Sequence, residues 1–275
     1  MFRCMFPTAL LWIFTAALLT SFFAEWTRAE DNVDELLSQA DKAVAAGQSK
    51  QAVELLSKAI AARADLAGAY YTRGRERFRL GQLEKSVADF DKYVALAPNA
   101  ESRQWERGIA YYYVGKFKQG AAQFELYQTY HDNDVENSVW RYLCMVPTTG
   151  IEKARSVMLP IKDDRRNPMM QVFNLYRGRL MPADVLAETR RGDPPADVLA
   201  GRQFYAHLYL GLYYEVAGDA KNARKYIDLA AAPELKNSRH LNRYMWDVAR
   251  IHKQKLDQAR QRATQPKPGG GDGAK

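Results

Sequence analysis

The chain has 275 residues, of which 47% are hydrophobic and 26% are charged, and its formal net charge at pH 7 is +8. This apolar content excludes general disorder, and the length suits one large domain or two small ones. Helix formers such as Ala, Leu, Lys and Glu recur throughout, whereas Gly and Pro fall mostly at short interruptions, so the composition favours helices over strands.

The N-terminal segment resembles a secretory signal. Arg3 precedes a run of 16 mostly apolar residues, Ala9 to Ala24, and the small residues Thr27 and Ala29 occupy the positions that a signal peptidase prefers. The run is shorter than the ~20 residues of a membrane-spanning helix. We therefore expect residues 1–29 to be a cleaved signal peptide and the mature protein to be periplasmic or secreted. An uncleaved N-terminal membrane anchor is the alternative.

An internal repeat of 34 residues follows. Small residues recur at this interval, at Ala52, Ser86, Gly120 and Ala154. Four positions after each comes a large apolar residue: Leu56, Phe90, Phe124 and Met158. The period and these offsets are those of tetratricopeptide repeats, in which each repeat is a pair of antiparallel helices. The sequence therefore predicts an all-α fold, an α-solenoid of tetratricopeptide helical hairpins.

Glycines occur at two further offsets within the repeat. Gly47, Gly81 and Gly115 lie five residues before a small residue, where the turn between two helices needs a residue without a Cβ. Gly74 and Gly108 lie twelve residues before a small residue, where we expect the two helices of one repeat to approach most closely.

The repeat pattern divides the chain into segments. Residues 30–161 hold repeats one to four, the last of them degenerate, with its turn at Pro147 to Gly150. Residues 162–203 form an irregular helical hairpin, with helices at Met169 to Leu180 and Pro182 to Thr189, followed by a loop. Residues 204–238 form repeat five, residues 239–262 form a helix that caps the open end of the solenoid, and residues 263–275 form a disordered tail.

No pattern of a catalytic centre, cofactor site or metal site is evident. None of the four histidines has a local nucleophile signature, so we expect no enzymatic activity and no cofactor. The segment His131 to Asp134 with Glu136 lacks the spacing of a calcium loop, and Asp134 is better interpreted as a helix N-cap. Cys144 lies in an apolar helix pattern, where a small core residue is the simplest interpretation.

A binding groove is the functional prediction of the repeats. The first helix of each repeat lines the concave wall of such a solenoid, and aromatic side chains with interleaved Arg are typical of protein interfaces. The candidate groove residues are Tyr71, Arg75, Arg79, Trp105, Glu106, Tyr112, Tyr113 and Trp140. Each tyrosine could instead pack in the core, whereas the two arginines are seldom buried unpaired.

The order of parts resembles the NlpI lipoprotein family of bacterial envelope adaptors and related plastid tetratricopeptide proteins. The similarity lies in Glu106 to Tyr113, in Trp140 with Tyr142 and Leu143, and in the segment from Phe204 to Tyr214. The resemblance implies a scaffold that docks envelope proteases or cell-wall hydrolases. This chain departs from the bacterial family because no lipid-acceptor cysteine follows the apolar run.

Basic charge is concentrated at the C-terminus. Residues 236–275 carry 10 basic and 3 acidic side chains, whereas residues 30–235 carry 28 of each. Two functions remain open: an adaptor that binds other proteins or peptides, and a structural module that contacts an anionic envelope surface through this segment. A solvated terminal helix is the plainer interpretation of the charge, and export argues against nucleic acid as a partner. The sequence assigns no partner by name and no oligomeric state.

Overall fold

The computed structural model describes residues 32–264, and over that range the chain contains helices and no strand. The predicted signal peptide, residues 1–29, lies outside the described residues, as does the predicted tail, residues 263–275, except for its first two residues, which are instead the end of the last helix. The α-helices are α1 at 32–45, α2 at Ser49–Ala62, α3 at Ala67–Arg79, α4 at Leu83–Leu96, α5 at Trp105–Tyr113, α6 at Phe117–Tyr127, α7 at Val135–Thr149, α8 at Ile151–Ser156, α9 at Met169–Tyr176, α10 at Pro182–Thr189, α11 at Ala196–Val216, α12 at Ala220–Ala230 and α13 at Arg243–Thr264. Within residues 32–264 no helix is both long enough and apolar enough to cross a membrane.

Helices that are neighbours in the sequence pack in pairs, as in α3 with α4, α5 with α6, and α11 with α12. This arrangement is compatible with an α-solenoid and confirms the predicted all-helical class. Turn glycines with positive φ separate the paired helices, with φ of 73° at Gly81 and 75° at Gly115. A residue with a Cβ would be strained at either position.

The predicted close approaches are present in the paired helices. A Cβ added to Gly108 would lie 2.7 Å from the ring of Phe124, and one added to Gly74 would lie 3.1 Å from Phe90. Both phenylalanines are fully buried. The glycine of one helix therefore admits the aromatic ring of the next, which lets the pair pack closely.

Several predicted boundaries need correction. The predicted turn at Pro147 to Gly150 is instead the last turn of α7, which ends at Thr149. Proline is tolerated there because it removes only one backbone hydrogen bond near the end of the helix. The loop expected up to residue 203 ends earlier, since α11 begins at Ala196 and continues without interruption into the predicted repeat five. The first helix of the irregular hairpin ends at Tyr176 rather than Leu180.

The last helix does not only cap the end of the array. α13 packs on α12 and also on α3, near the other end of the chain. Six consecutive residues of α13, Tyr244 to Ala249, are buried. Consecutive residues point to all sides of a helix, so this stretch is covered on every side, whereas an end cap would bury a single face.

Candidate partner-binding site

The first helices of three successive hairpins, α3, α5 and α7, form a surface that we call the inner face. Two residues on it, Tyr71 of α3 and Glu106 of α5, are 35 residues apart, and the Tyr71 hydroxyl donates a 2.8 Å hydrogen bond to Oε1 of Glu106. Nε of Arg75 lies 3.7 Å from the same oxygen, and the guanidinium lies 5.6 Å from the centre of the Tyr71 ring. Burial raises the pKa of the Glu106 carboxyl, and Arg75 opposes that shift. Glu106 is thus a buried charge already satisfied within the chain.

The inner face is covered by α13. Tyr244 stacks on Phe78, with ring centres 4.8 Å apart, and meets the edge of Trp105 at 5.3 Å. Nε of Arg79 donates a 2.9 Å hydrogen bond to Oδ2 of Asp247, which is buried. These contacts place a helix of this chain where we expected an open groove, which corrects the expectation of an unoccupied concave wall.

The remaining predicted groove residues take part in the same packing. Trp140 is 1% exposed and Tyr112 is 8% exposed, and their rings meet edge to face at 5.4 Å. Tyr113 and Trp105 are half-buried beside α13. Of the two arginines, Arg75 keeps 36% of its side chain exposed. The eight residues therefore do lie together, but most of their surface contacts this chain.

Arg79 has a second carboxylate partner. Its Nη1 donates to both oxygens of Glu76, at 2.9 and 3.0 Å. Arg79 was expected in the groove as an arginine seldom buried unpaired, and in the structure Asp247 and Glu76 are its partners.

A cavity of about 200 Å³ remains open beside α13. It lies between α5, α6, α7, the first residues of α13 and the connector that follows α8. Its apolar wall consists of Trp105, Ile109, Phe124, Tyr127, Trp140 and Met245. The sequence pattern placed two of these residues, Trp105 and Trp140, in the groove.

The opposite wall of the cavity is polar and consists of Asp134, Glu136, Asn137, Arg166 and Asn242. Arg166 donates from Nη1 to Glu136 at 2.6 Å and from Nη2 to Asp134 at 2.6 Å. The Tyr209 hydroxyl donates to the other oxygen of Glu136, also at 2.6 Å. The sequence did not predict this wall, because Arg166 lies 30 residues after Glu136, in a connector outside the repeat pattern.

Asp134 acts as the N-cap of α7, as predicted, because its Oδ1 accepts a 3.0 Å hydrogen bond from the backbone N–H of Glu136. Among residues 32–264 no group of His, Cys, Asp and Glu side chains is arranged to hold a metal ion. The acidic residues at this helix start are therefore capping and ion-pairing groups.

One buried histidine is set between a carboxylate and a hydroxyl. Nε2 of His252 lies 2.9 Å from Oε2 of Glu215, and its Nδ1 lies 3.1 Å from the hydroxyl of Tyr113. Burial lowers the pKa of His252 and raises the pKa of Tyr113. The geometry suits a neutral imidazole that bridges α11, α13 and α5, and no face of His252 is exposed to a substrate.

The single cysteine of the described residues, Cys144, is also buried, and burial raises the pKa of its thiol. A protonated thiol is a poor nucleophile. Its sulfur fills the space beside Gly120, where an added Cβ would lie 2.7 Å from Sγ. Cys144 is therefore a packing residue, in agreement with the interpretation from the sequence.

Comparisons with protein-family models and with curated proteins find no match to this chain.

Proposed function

We propose that this chain is a tetratricopeptide-repeat protein that binds polypeptide segments of other proteins outside the cytoplasm and performs no catalysis. The proposal joins the 34-residue period and the signal-like N-terminus of the sequence to the packing of the inner face. By its resemblance to the envelope adaptors, proteases or cell-wall hydrolases are the partners we expect.

The observation that carries the proposal is the way in which α13 lies on the inner face. Trp105 contacts Tyr244 through its ring, and Arg79 contacts Asp247 through an ion pair. These two α13 residues are three apart and so lie on one side of the helix. The inner face thus accommodates a helix by aromatic packing and charge pairing, which are means by which grooves bind helical peptides.

The part of the inner face that α13 leaves open is where we place the partner. It includes the exposed side of Arg75, the half-buried Tyr71 and Trp105, and the cavity beside Trp105. Aromatic and Arg side chains give large contact areas at low entropic cost. A partner segment would therefore extend the surface that α13 already covers.

The alternative, contact with an anionic surface through the basic C-terminal helix, has less support. Nζ of Lys255 lies 3.0 Å from Oε1 of Glu215, and Lys253 pairs with Asp228. These charges are partly neutralised within the chain, so they attract an external anion less strongly. The tail beyond residue 264 lies outside the described residues.

Site-specific photo-crosslinking tests the proposal. A photoreactive amino acid placed at Arg75 is expected to crosslink to polypeptides of an envelope extract, whereas the same amino acid at Lys92, exposed on α4, is expected not to. Thermal melting of both proteins verifies that each is folded. Crosslinks confined to position 92, or none at either position, would contradict binding at the inner face.

A further inference from the structure

The cavity beside Trp105 has an excess of negative charge. Arg166 is the single cation of its polar wall, and it pairs with Asp134 and Glu136 of that wall and with Asp164 outside the lining. The N-terminus of α7 adds roughly half a positive charge, so the lining keeps an excess of roughly half a negative charge, to which Asp164 beside Arg166 adds one more. Burial raises the pKa of Glu136, and Asp134 adds to that rise while Arg166 opposes it, so a further cation beside this carboxyl would stabilise its ionised form. The wall therefore favours a cation as its ligand.

Two buried polar atoms of the cavity lining have no partner among the described residues. They are Oδ1 of Asn137 and Nε1 of Trp140, in side chains that are 2% and 1% exposed. The amide orientation of Asn137 follows from Gln128, whose Nε2 donates to two backbone carbonyls. Oε1 of Gln128 therefore faces Nδ2 of Asn137 at 2.9 Å, which leaves Oδ1 as a free acceptor. Since an unpaired buried polar atom is costly, the pair indicates a ligand that both donates and accepts.

Size and shape restrict the ligand further. A volume of about 200 Å³ is below the ~300–1,000 Å³ of sites for drug-sized molecules, so it suits one side chain. Trp105 and Trp140 belong to the lining, and aromatic rings attract cations. Arg166 leaves 47% of its side chain exposed, so the polar wall reaches solvent.

We propose that this cavity receives the cationic side chain, arginine or lysine, of a polypeptide bound by the protein. Asn137 Oδ1 and the Asp134 carboxylate accept hydrogen bonds from the cationic group, and Nε1 of Trp140 donates to a carbonyl of the same polypeptide. Trp105 packs against the apolar stem of the side chain. This inference deepens the proposed function and rests on it in one respect, namely that the cationic side chain belongs to a bound polypeptide.

The first test compares a cation with its neutral isostere on the unmodified mature protein. N-acetyl-arginine methylamide and its citrulline counterpart are titrated by calorimetry, with tryptophan fluorescence as a second readout. The arginine compound is expected to bind at least about tenfold more tightly. Equal affinities, or no binding of either compound up to about 10 mM, would overturn the proposal.

A variant locates the site. Glu136→Gln keeps the shape of the side chain and removes its charge, and it is expected to weaken binding of the arginine compound about tenfold. Glu152→Gln, whose side chain is 85% exposed on α8, is the matched control and is expected to bind as wild type does. Binding unchanged by Glu136→Gln in a folded protein would exclude this cavity. If that variant does not fold, the comparison of the two compounds on the wild type decides alone.

A third arm separates the source of the ligand from the function itself. A pentapeptide of alanines with a central arginine is expected to bind more tightly than the blocked amino acid, because it offers further contacts to the inner face. A pentapeptide that binds no more tightly would assign the cavity to a free small cation and overturn the polypeptide source. Crosslinking at position 75 that persists in Glu136→Gln alongside equal binding of arginine and citrulline would retain the proposed function and reject the cationic site.

Discussion

The hydroxyl of Tyr113 lies 3.1 Å from Nδ1 of His252, although 139 residues separate them in the chain. The same imidazole lies 2.9 Å from Glu215, so it connects α5, α11 and α13. His252→Ala would remove the partner of both groups and leave a cavity. We expect the free energy of unfolding to fall by ~2–4 kcal/mol, measured by urea denaturation. His131→Ala, at an exposed position, is the control and should cost under ~0.5 kcal/mol. Equal costs for both would show that His252 does not connect the three helices.

Asp247 is a buried carboxylate of α13 that three arginines share. It is about 1% exposed, and Arg79, Arg243 and Arg250 approach it at 2.9, 3.8 and 3.6 Å. Asp247→Asn leaves these cations without their shared carboxylate, and we expect a loss of ~3–5 kcal/mol. In Asp247→Asn, amide hydrogen exchange should rise first in α13. Asp257→Asn, on the half-exposed end of the same helix, is the control and should raise exchange less. A uniform rise in exchange across all helices of Asp247→Asn would show that Asp247 does not stabilise α13 in particular.

The pairing of Gly108 with Phe124 supplies a test of the helix register. Gly108→Ala would place a Cβ 2.7 Å from the ring, and Phe124→Ala would empty a fully buried site at a cost of ~3–5 kcal/mol. In the double variant the new methyl group has room, so the combined cost should be less than the sum of the two. Gly68→Ala is the control, because nothing lies within 4 Å of its added Cβ and the helix should gain ~0.5–1 kcal/mol. Strict additivity would mean that the two residues do not share this contact.

Protonation of His207 should lower stability in mild acid. Burial, with a further contribution from Lys225, lowers its pKa from 6.5 to about 4. The unfolded chain takes up this proton near pH 6.5, whereas the folded chain does not. The contribution of neutral His207 to the free energy of unfolding is therefore complete above that pH and is lost as the pH falls towards about 4. His207→Gln should therefore lose less stability than wild type between about pH 7 and about pH 5, measured by urea denaturation. An identical pH dependence in both proteins would exclude His207 as the source.

Local packing within a hairpin was predictable because its signals recur at a fixed interval. Gly74 and Phe90 are 16 residues apart, and so are Gly108 and Phe124. Recognising one glycine–phenylalanine contact therefore predicts the other. The turn glycines follow the same logic, since a positive φ restricts the choice of residue.

The position of α13 and the polar wall of the cavity could not be predicted in that way. Arg79 and Asp247 are 168 residues apart, and neither residue type indicates a partner at that distance. Arg166 lies in a connector without periodicity, so nothing in the sequence associated it with Glu136. The aromatic residues of the inner face were recognised, but hydrophobic character alone does not distinguish a surface open to a partner from one covered by the chain.

The contact between α13 and α3 changes how the array should fold. In a solenoid each repeat contacts only its neighbours, so folding can begin in any repeat and propagate along the array. Here a helix near the C-terminus holds a helix of the second hairpin, so loss of either helix removes support from the other. Unfolding should accordingly be concerted, and a ribosome-bound chain that lacks α13 should hold its inner face open until synthesis is complete. During that interval the aromatic surface around Trp105 and Tyr113 would be open to chaperones.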